Sequence, residues 1–350
     1  MRVRTLRQLH FRNLTTPLLS FERGVTAVVG ANAAGKSNLI DALYLGCTGS
    51  MPGGTIAEAL RFGETGGFVR AELEAGDAVH EVEIGLAPGR KVLRVDGQAV
   101  RAADVARLGG AVKVAPEDAD LIHGPPAGRR GFLDDLLARL SLRFALVARE
   151  YHRVVEQRNA LLKRPEAAAT LAAWDGRFLE LGGEVEAVRG RAVARLAPLA
   201  AEAYATIAAD GKRLDVALRR AAGEAPLDEA LARARAEELA RGATSVGPHR
   251  DDLDLALDGR SVQAFGSRGE ARTASLALRV AEFALLEERH GTPPVLLVDD
   301  VSAELDEGRR SFLIDLARRA PQAIVTGTDV PVGADRVWRV ADGRVTSGDG

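Results

Sequence analysis

Three clusters of residues in this chain have the types and spacing needed for chemistry. The first, Gly30-Ala31-Asn32-Ala33-Ala34-Gly35-Lys36-Ser37, fits G-x-x-x-x-G-K-[ST]. In such a loop the backbone N–H groups wrap a phosphate chain, the lysine reaches the β and γ phosphates, and the serine hydroxyl holds Mg²⁺. All eight residues are therefore expected to bind a nucleotide, with Lys36 also acting in catalysis and Ser37 on the metal. The second cluster is Asp299-Asp300, which ends the apolar run Val295–Val298. An unbroken apolar run of this length fits a fully buried parallel strand, and ligands bind beyond the carboxyl ends of such strands. Asp299 is expected to hold Mg²⁺ and Asp300 to orient or deprotonate the attacking water. The third is Ser267-Arg268-Gly269-Glu270, which precedes a helical pattern over Thr273–Glu282. Ser267 offers a hydroxyl and Gly269 an exposed backbone N–H at a helix N-terminus, where an anion is favoured.

Periodicity supplies the elements that must position these residues. Val25, Ala27, Val28 and Val29 form a strand before the phosphate loop, and Asn38–Leu45 forms a helix after it with Leu39, Ile40 and Leu43 inward. Strands are predicted at Val3–Leu9, Phe68–Leu73, Val79–Leu86, Val92–Val95, Val112–Val114 and Ala323–Val325, with turns at Gly76-Asp77, Pro88-Gly89 and Asp96-Gly97. Glu117, just beyond Val114, is a further candidate contact for metal or water. From Gly131 to about Arg241 the pattern is helical, broken at Pro165 and Pro198. Leu253, Leu255 and Leu257 then alternate back into strand. The expected fold is α/β: a nucleotide-binding lobe of mixed sheet and helices plus an antiparallel β region, split in sequence around an inserted all-helical lobe. The boundaries are 1–125, 126–241 and 242–350.

Composition narrows the function classes. A net charge of −2 does not advertise a nucleic-acid binder, so any such site must be local. Candidates for it are Arg129, Arg130, Arg139, Arg143, Arg149, Arg153, Arg158, Lys163 and Arg164, although a solvated helix face accounts for many such residues. Cys47, the sole cysteine, excludes an intramolecular disulfide and a cysteine-based zinc cluster, and fits a small core residue. The absence of a long apolar run leads us to expect a cytoplasmic protein with no membrane association.

With these motifs in view, Ser267–Glu270 resembles the signature of ABC-type ATPases, and Ser302–Asp306 (SAELD) resembles their D-loop. Within that superfamily the chain resembles the RecF family over nearly its whole length. The opening LRQLHFRNLTTPLLSFERGVTAVVGANAAGKSNLIDAL carries the likeness, together with Ala115–Leu137, Ser245–Leu253 (SVGPHRDDL) and Leu276–Glu288. It departs at Ala33 and Ala34, where the family often has Gly, and at Glu270, where Gln is usual. Alanines are expected to fit the loop by keeping φ negative, and Glu270 to point away from a γ-phosphate. No histidine stands near Thr326, where transporter ATPases carry a switch histidine. The resemblance implies an ABC-type ATPase head with a helical lid, using ATP and Mg²⁺. It further implies an ATP-driven homodimer completed by Ser267 and Gly269 of the other copy, slow hydrolysis, and sequence-independent binding of duplex and gapped DNA. Its implied partners are RecR and, through it, RecO, with recombinase loaded at gaps. A transporter ATPase would lack SVGPHRDDL, and a small-metabolite kinase has no use for Ser267–Glu270.

Overall fold

A computed structural model describes residues 1–52, 56–164, 168–300, 307–331 and 333–348. The chain divides into two compact units: Met1–Asp118, Thr206–Ala208 and Leu276–Gly350 form the first, and Ala119–Ala205 and Ala209–Ser275 the second.

The first unit holds two six-stranded sheets. One is wholly antiparallel, in the order β2 (Leu18–Ser20), β1 (Arg2–Leu9), β4 (Gly67–Ala75), β5 (Ala78–Ala87), β6 (Arg90–Val95), β7 (Gln98–Val100). Its β6–β7 turn uses the predicted Asp96-Gly97, both with positive φ, as a tight hairpin of the favoured twist requires. The other sheet runs β15 (Arg344–Gly348), β14 (Arg336–Ala341), β3 (Gly24–Val29), β13 (Gln322–Gly327), β12 (Val295–Val298), β8 (Ala111–Val114). All its neighbours are parallel except the β14–β15 hairpin. Every residue of β12 and β13 is buried, which is why both read as continuous runs without alternation. The Lys36–Thr48 helix follows β3 and buries Leu39, Ile40 and Leu43 as predicted. Cys47 is likewise fully buried, and burial pushes its thiol up to about 12, so it is an inert core residue.

The second unit contains the Pro126–Leu140, Leu142–Leu162 and Leu227–Arg241 helices and most of the Ala168–Ala208 helix. It differs from expectation in three ways, the first being that residues 242–275, expected in the nucleotide-binding lobe, fall in this unit. The stretch expected to be wholly helical contains a strand, β9 (Leu214–Arg219), which pairs with β10 (Asp252–Leu257); β11 (Arg260–Ser261) completes a three-stranded sheet. Leu214 and Val216 are buried while the intervening Asp215 and the following Ala217 are not; a short period-2 signal between two long helices is easily read as a loop. The Ala168–Ala208 helix also continues through Pro198. The proline removes one backbone hydrogen bond, while Leu196, Ala200 and Tyr204 on either side stay fully buried and hold the helical path. Pro165 lies outside the described residues.

SVGPHRDDL has a packing role in the second unit. At Gly247, φ is +110°, and an added Cβ would lie within 2.7 Å of the Phe178 ring and 2.8 Å of the Tyr151 hydroxyl, so only glycine fits. His249 Nδ1 meets the Tyr151 hydroxyl at 2.9 Å. Asp252 accepts two hydrogen bonds from the guanidinium of Arg129. Arg129, Arg139 and Arg158 are buried, so they cannot serve as the DNA contacts that the sequence suggested. Arg158 is consumed by Asp175, Glu238 and Thr244, because a buried cation is tolerated only when fully paired. Arg143 is exposed and paired with Glu184.

Candidate active site

The parallel order β3–β13–β12 sets three strand ends side by side. The phosphate loop leaves β3, Thr326 stands near the end of β13, and Asp299 and Asp300 follow β12. Residues remote in sequence thus meet at one sheet edge of the first unit.

Lys36 is almost wholly buried, and its ammonium donates to the carbonyl oxygens of Gly30 (2.7 Å) and Ala31 (3.0 Å). Among the described residues no carboxylate lies within ion-pairing distance of it. A buried cation held only by neutral dipoles strongly favours an anionic ligand. Gly30 admits no side chain, since a Cβ would overlap the Val340 carbonyl oxygen, and Gly35 has φ +114°. Ala33 does not keep the expected negative φ: it takes the left-handed conformation at +64°. The loop must reverse direction within a few residues between β3 and its helix. Ala33 meets that demand at about 1–2 kcal/mol of backbone strain. Ala34 is buried and keeps a negative φ. Asn32, Ala33, Gly35, Lys36, Ser37, Asn38 and Asp300 line a pocket of about 260 Å³.

Ser37 Oγ donates to Asp299 Oδ1 at 3.1 Å. The same carboxylate oxygen accepts from Thr326 Oγ1 at 2.8 Å, and Thr326 Oγ1 in turn accepts from the backbone N–H of Asp300 at 2.8 Å. One hydroxyl therefore ties both acidic residues to β13. Asp300 has φ +51°, a conformation that aspartate tolerates better than most residues and that the Thr326 bond helps to hold. A hydroxyl beside a buried carboxylate is a hard-oxygen donor pair suited to Mg²⁺. The residues present fit ATP with that ion.

Sequence reasoning missed Thr326 as a site residue, although it follows an apolar run much as Asp299 does. It also missed a supporting network. Asp41 accepts from Arg12 at 2.5 Å and Lys113 at 2.8 Å, and Lys113 Nζ stands 4.0 Å from Asp299 Oδ2. Asn38 bonds Arg12 through its carbonyl and Asn13 through its amide. Arg12 and Asn13 belong to the Phe-Arg-Asn string that marked the chain's opening, and no local pattern revealed their partners. Glu117 is exposed in a short 3₁₀ turn and forms no bond among the described residues; its neighbour Asp118 pairs with Arg279.

Ser267 and Gly269 lie in the second unit, at the start of the Arg268–His290 helix. The Ser267 hydroxyl accepts from the Glu270 N–H at 3.2 Å, while the Glu270 carboxylate accepts from the Ser267 N–H at 2.7 Å. This reciprocal arrangement is a capping box. Glu270 also pairs with Lys212, and these contacts hold its carboxyl at about 2, well below the usual range. Its charge is neutralised locally by Lys212 and by the hydrogen bonds from Ser267. Phe265, two residues earlier, is 79% exposed. Ser302–Asp306 lie outside the described residues.

Fold and site together define an ATPase head of the ABC type. Residues 2–340 match the model of the RecF/RecN/SMC N-terminal domain. The chain is 47% identical over 348 residues to the DNA replication and repair protein RecF of Deinococcus deserti, covering 99% of this chain and 95% of that one. A RecF of the same name from Deinococcus radiodurans is also 47% identical, at 99% and 96% coverage. A solved recombination mediator, RecF-ATP in the RecFOR pathway, superposes with a TM-score of 0.92 at 27% identity, covering 99% of this chain and 97% of that one. An Smc head domain from Pyrococcus furiosus shares the fold, with a TM-score of 0.58 at 18% identity. The chain belongs to the RecF/RecN/SMC family and, within it, to the RecF proteins. Among the described residues no helix is long and apolar enough to cross a membrane.

Proposed function

We propose that this chain is an ATP-dependent DNA-binding protein of recombinational repair. In this reading it closes as a homodimer on ATP, binds duplex DNA and single-strand/duplex junctions without sequence preference, and helps to load recombinase at gaps with RecR and RecO. The observation that carries the reading is the full-length likeness to repair proteins, continuous from the phosphate loop through the Ser267 segment. The site geometry agrees with ATP as the ligand.

Lys36 neutralises the β/γ phosphate charge. The hydroxyl of Ser37 and the carboxylate of Asp299 would hold Mg²⁺, which would supply positive charge against the negative charge that develops on the phosphate. Asp300 orients the attacking water and accepts its proton. Its side chain is one methylene shorter than glutamate, so the carboxylate reaches less far and turnover is slow, which suits a timer for release from DNA. Ser267 and Gly269 of a second copy donate to the γ-phosphate, completing each site in trans.

The test is molecular mass in solution. ATP is expected to double the mass of the wild type, while Ser267→Arg stays at one copy because a bulky cation replaces the donating hydroxyl. Wild-type ATP dependence in that variant refutes the sandwich. DNA binding is expected to appear only with the dimer and to fall steeply with salt as counterions are released. Equal DNA affinity of single copies and dimers refutes that part.

A further inference from the structure

The Leu142–Leu162 helix presents Leu146, Arg149, Arg153 and Val154 at i, i+3, i+7 and i+8, which places them on one face. With Trp174 and Arg177 of the Ala168–Ala208 helix they line a pocket of about 430 Å³ inside the second unit. This size is typical of pockets that take a small ligand or a side-chain anchor. Its base is apolar: Val154 is buried, Trp174 is half-buried, and Leu146 is 41% exposed, unusually open for a leucine. Its cations divide into two kinds. Arg177 is engaged by Glu150 and Glu180. Arg149 and Arg153 are exposed and have neither ion pair nor hydrogen bond among the described residues. They are two of the arginines that the sequence singled out, and they differ in this from the buried Arg129 and Arg158. The Trp174 indole N–H is likewise without a hydrogen-bond partner among the described residues.

We propose that this pocket docks an acidic segment of another protein, one apolar side chain seated against Leu146, Val154 and Trp174 and flanking carboxylates paired with Arg149 and Arg153. Charge and shape select this occupant. Tryptophan and arginine are the residues that most often dominate protein–protein binding energy, and here they surround an open apolar base. Planar guanidinium groups pair bidentately with carboxylates, and the two lie one helical turn apart, within reach of acids on either side of a single anchor. A nucleic-acid backbone fits less well. It draws its affinity from many cations, whereas this patch offers two unengaged ones beside Glu150 and Glu180, and a phosphate chain gains nothing from the leucine and valine. The proposal does not depend on ATP or on dimerisation.

The experiment selects short peptides from a random displayed library on the full chain and titrates the recovered sequences by Trp174 fluorescence. Trp338, the other tryptophan, is 6% exposed and packed on Phe21, so the response reports the pocket. We expect sequences with one aromatic or leucine residue flanked by Asp and Glu. Arg149→Glu and Arg153→Glu are expected to weaken binding about tenfold or more each, as loss of a charged pair predicts, and Leu146→Ser to weaken it through the anchor. Both arginines are exposed, so unchanged far-ultraviolet dichroism serves as the folding control. The proposal is overturned if no peptide is enriched, if the charge-reversal variants bind the selected peptides with wild-type affinity, or if oligothymidylate displaces them from wild type, which assigns the pocket to nucleic acid.

Discussion

Replacing Thr326 by valine removes one oxygen at constant shape and separates the two acidic residues from the strand that ties them down. Thr326 is 1% exposed, so no water replaces the lost hydroxyl. Two hydrogen bonds disappear, one to the Asp299 carboxylate and one from the Asp300 N–H, each 2.8 Å long. A bond to a charged group contributes about 1.5–3 kcal/mol and a neutral one about 1 kcal/mol, so the variant is expected to lose about 2–4 kcal/mol of stability. Catalysis should suffer separately. Asp300 is held at φ +51° partly through this bond, and once released its backbone relaxes toward unstrained conformations that displace the carboxylate. A displacement on the order of 1 Å in a positioned catalytic group costs about a hundredfold in rate. The Thr326→Val chain should therefore bind ATP within about threefold of wild type, since Lys36, Ser37 and the loop are untouched, while single-turnover hydrolysis falls about ten- to a hundredfold. Thr326→Ser keeps the hydroxyl and should recover most of both losses. Equilibrium nucleotide binding, single-turnover hydrolysis and urea unfolding measured on the three proteins decide the matter. Hydrolysis by the valine variant within about twofold of wild type, or failure of serine to rescue, refutes the role assigned to Thr326.

Asp300→Asn is expected to bind ATP and to dimerise but to hydrolyse at least about a hundredfold more slowly, because an amide cannot accept the proton; it should also release DNA more slowly, and normal hydrolysis with stopped-flow release at the wild-type rate contradicts both roles. Ala33→Gly relieves a left-handed alanine at φ +64° but loosens the unfolded chain, so stability should be unchanged or rise by up to about 1 kcal/mol, whereas Ala33→Val should lose about 1–2 kcal/mol. Equal unfolding midpoints for the two variants remove the strain argument. Burial depresses the His249 imidazole from 6.5 to about 4. The unfolded chain then takes up a proton between those values that the fold refuses, so this contribution is full above about pH 6.5 and is lost as pH falls toward 4, with a ceiling of about 3 kcal/mol. Urea titrations of wild type and His249→Gln from about pH 7 to 4.5 should show a shallower pH slope in the variant, and parallel slopes count against the burial explanation.

Much of the head was readable from local pattern. The buried runs Val25–Val29 and Val295–Val298, the helix after Lys36 and the turn at Asp96-Gly97 appear where alternation, apolar runs and glycine placed them. Lys36, Ser37 and Asp299 could be named because a phosphate loop and a buried strand ending in acids each carry their chemistry within a few residues. The remainder depends on what strand order brings together. That Ser37, Thr326 and Asp299 share one oxygen follows from β13 lying between β3 and β12, a non-local pairing that no sequence window contains. The same holds for Arg12 and Lys113 converging on Asp41, and for the division of the arginines into buried structural cations such as Arg158 and unengaged ones such as Arg149. Residue type states which bonds a side chain can make, while burial and partners, which only the folded chain supplies, decide which of them are made.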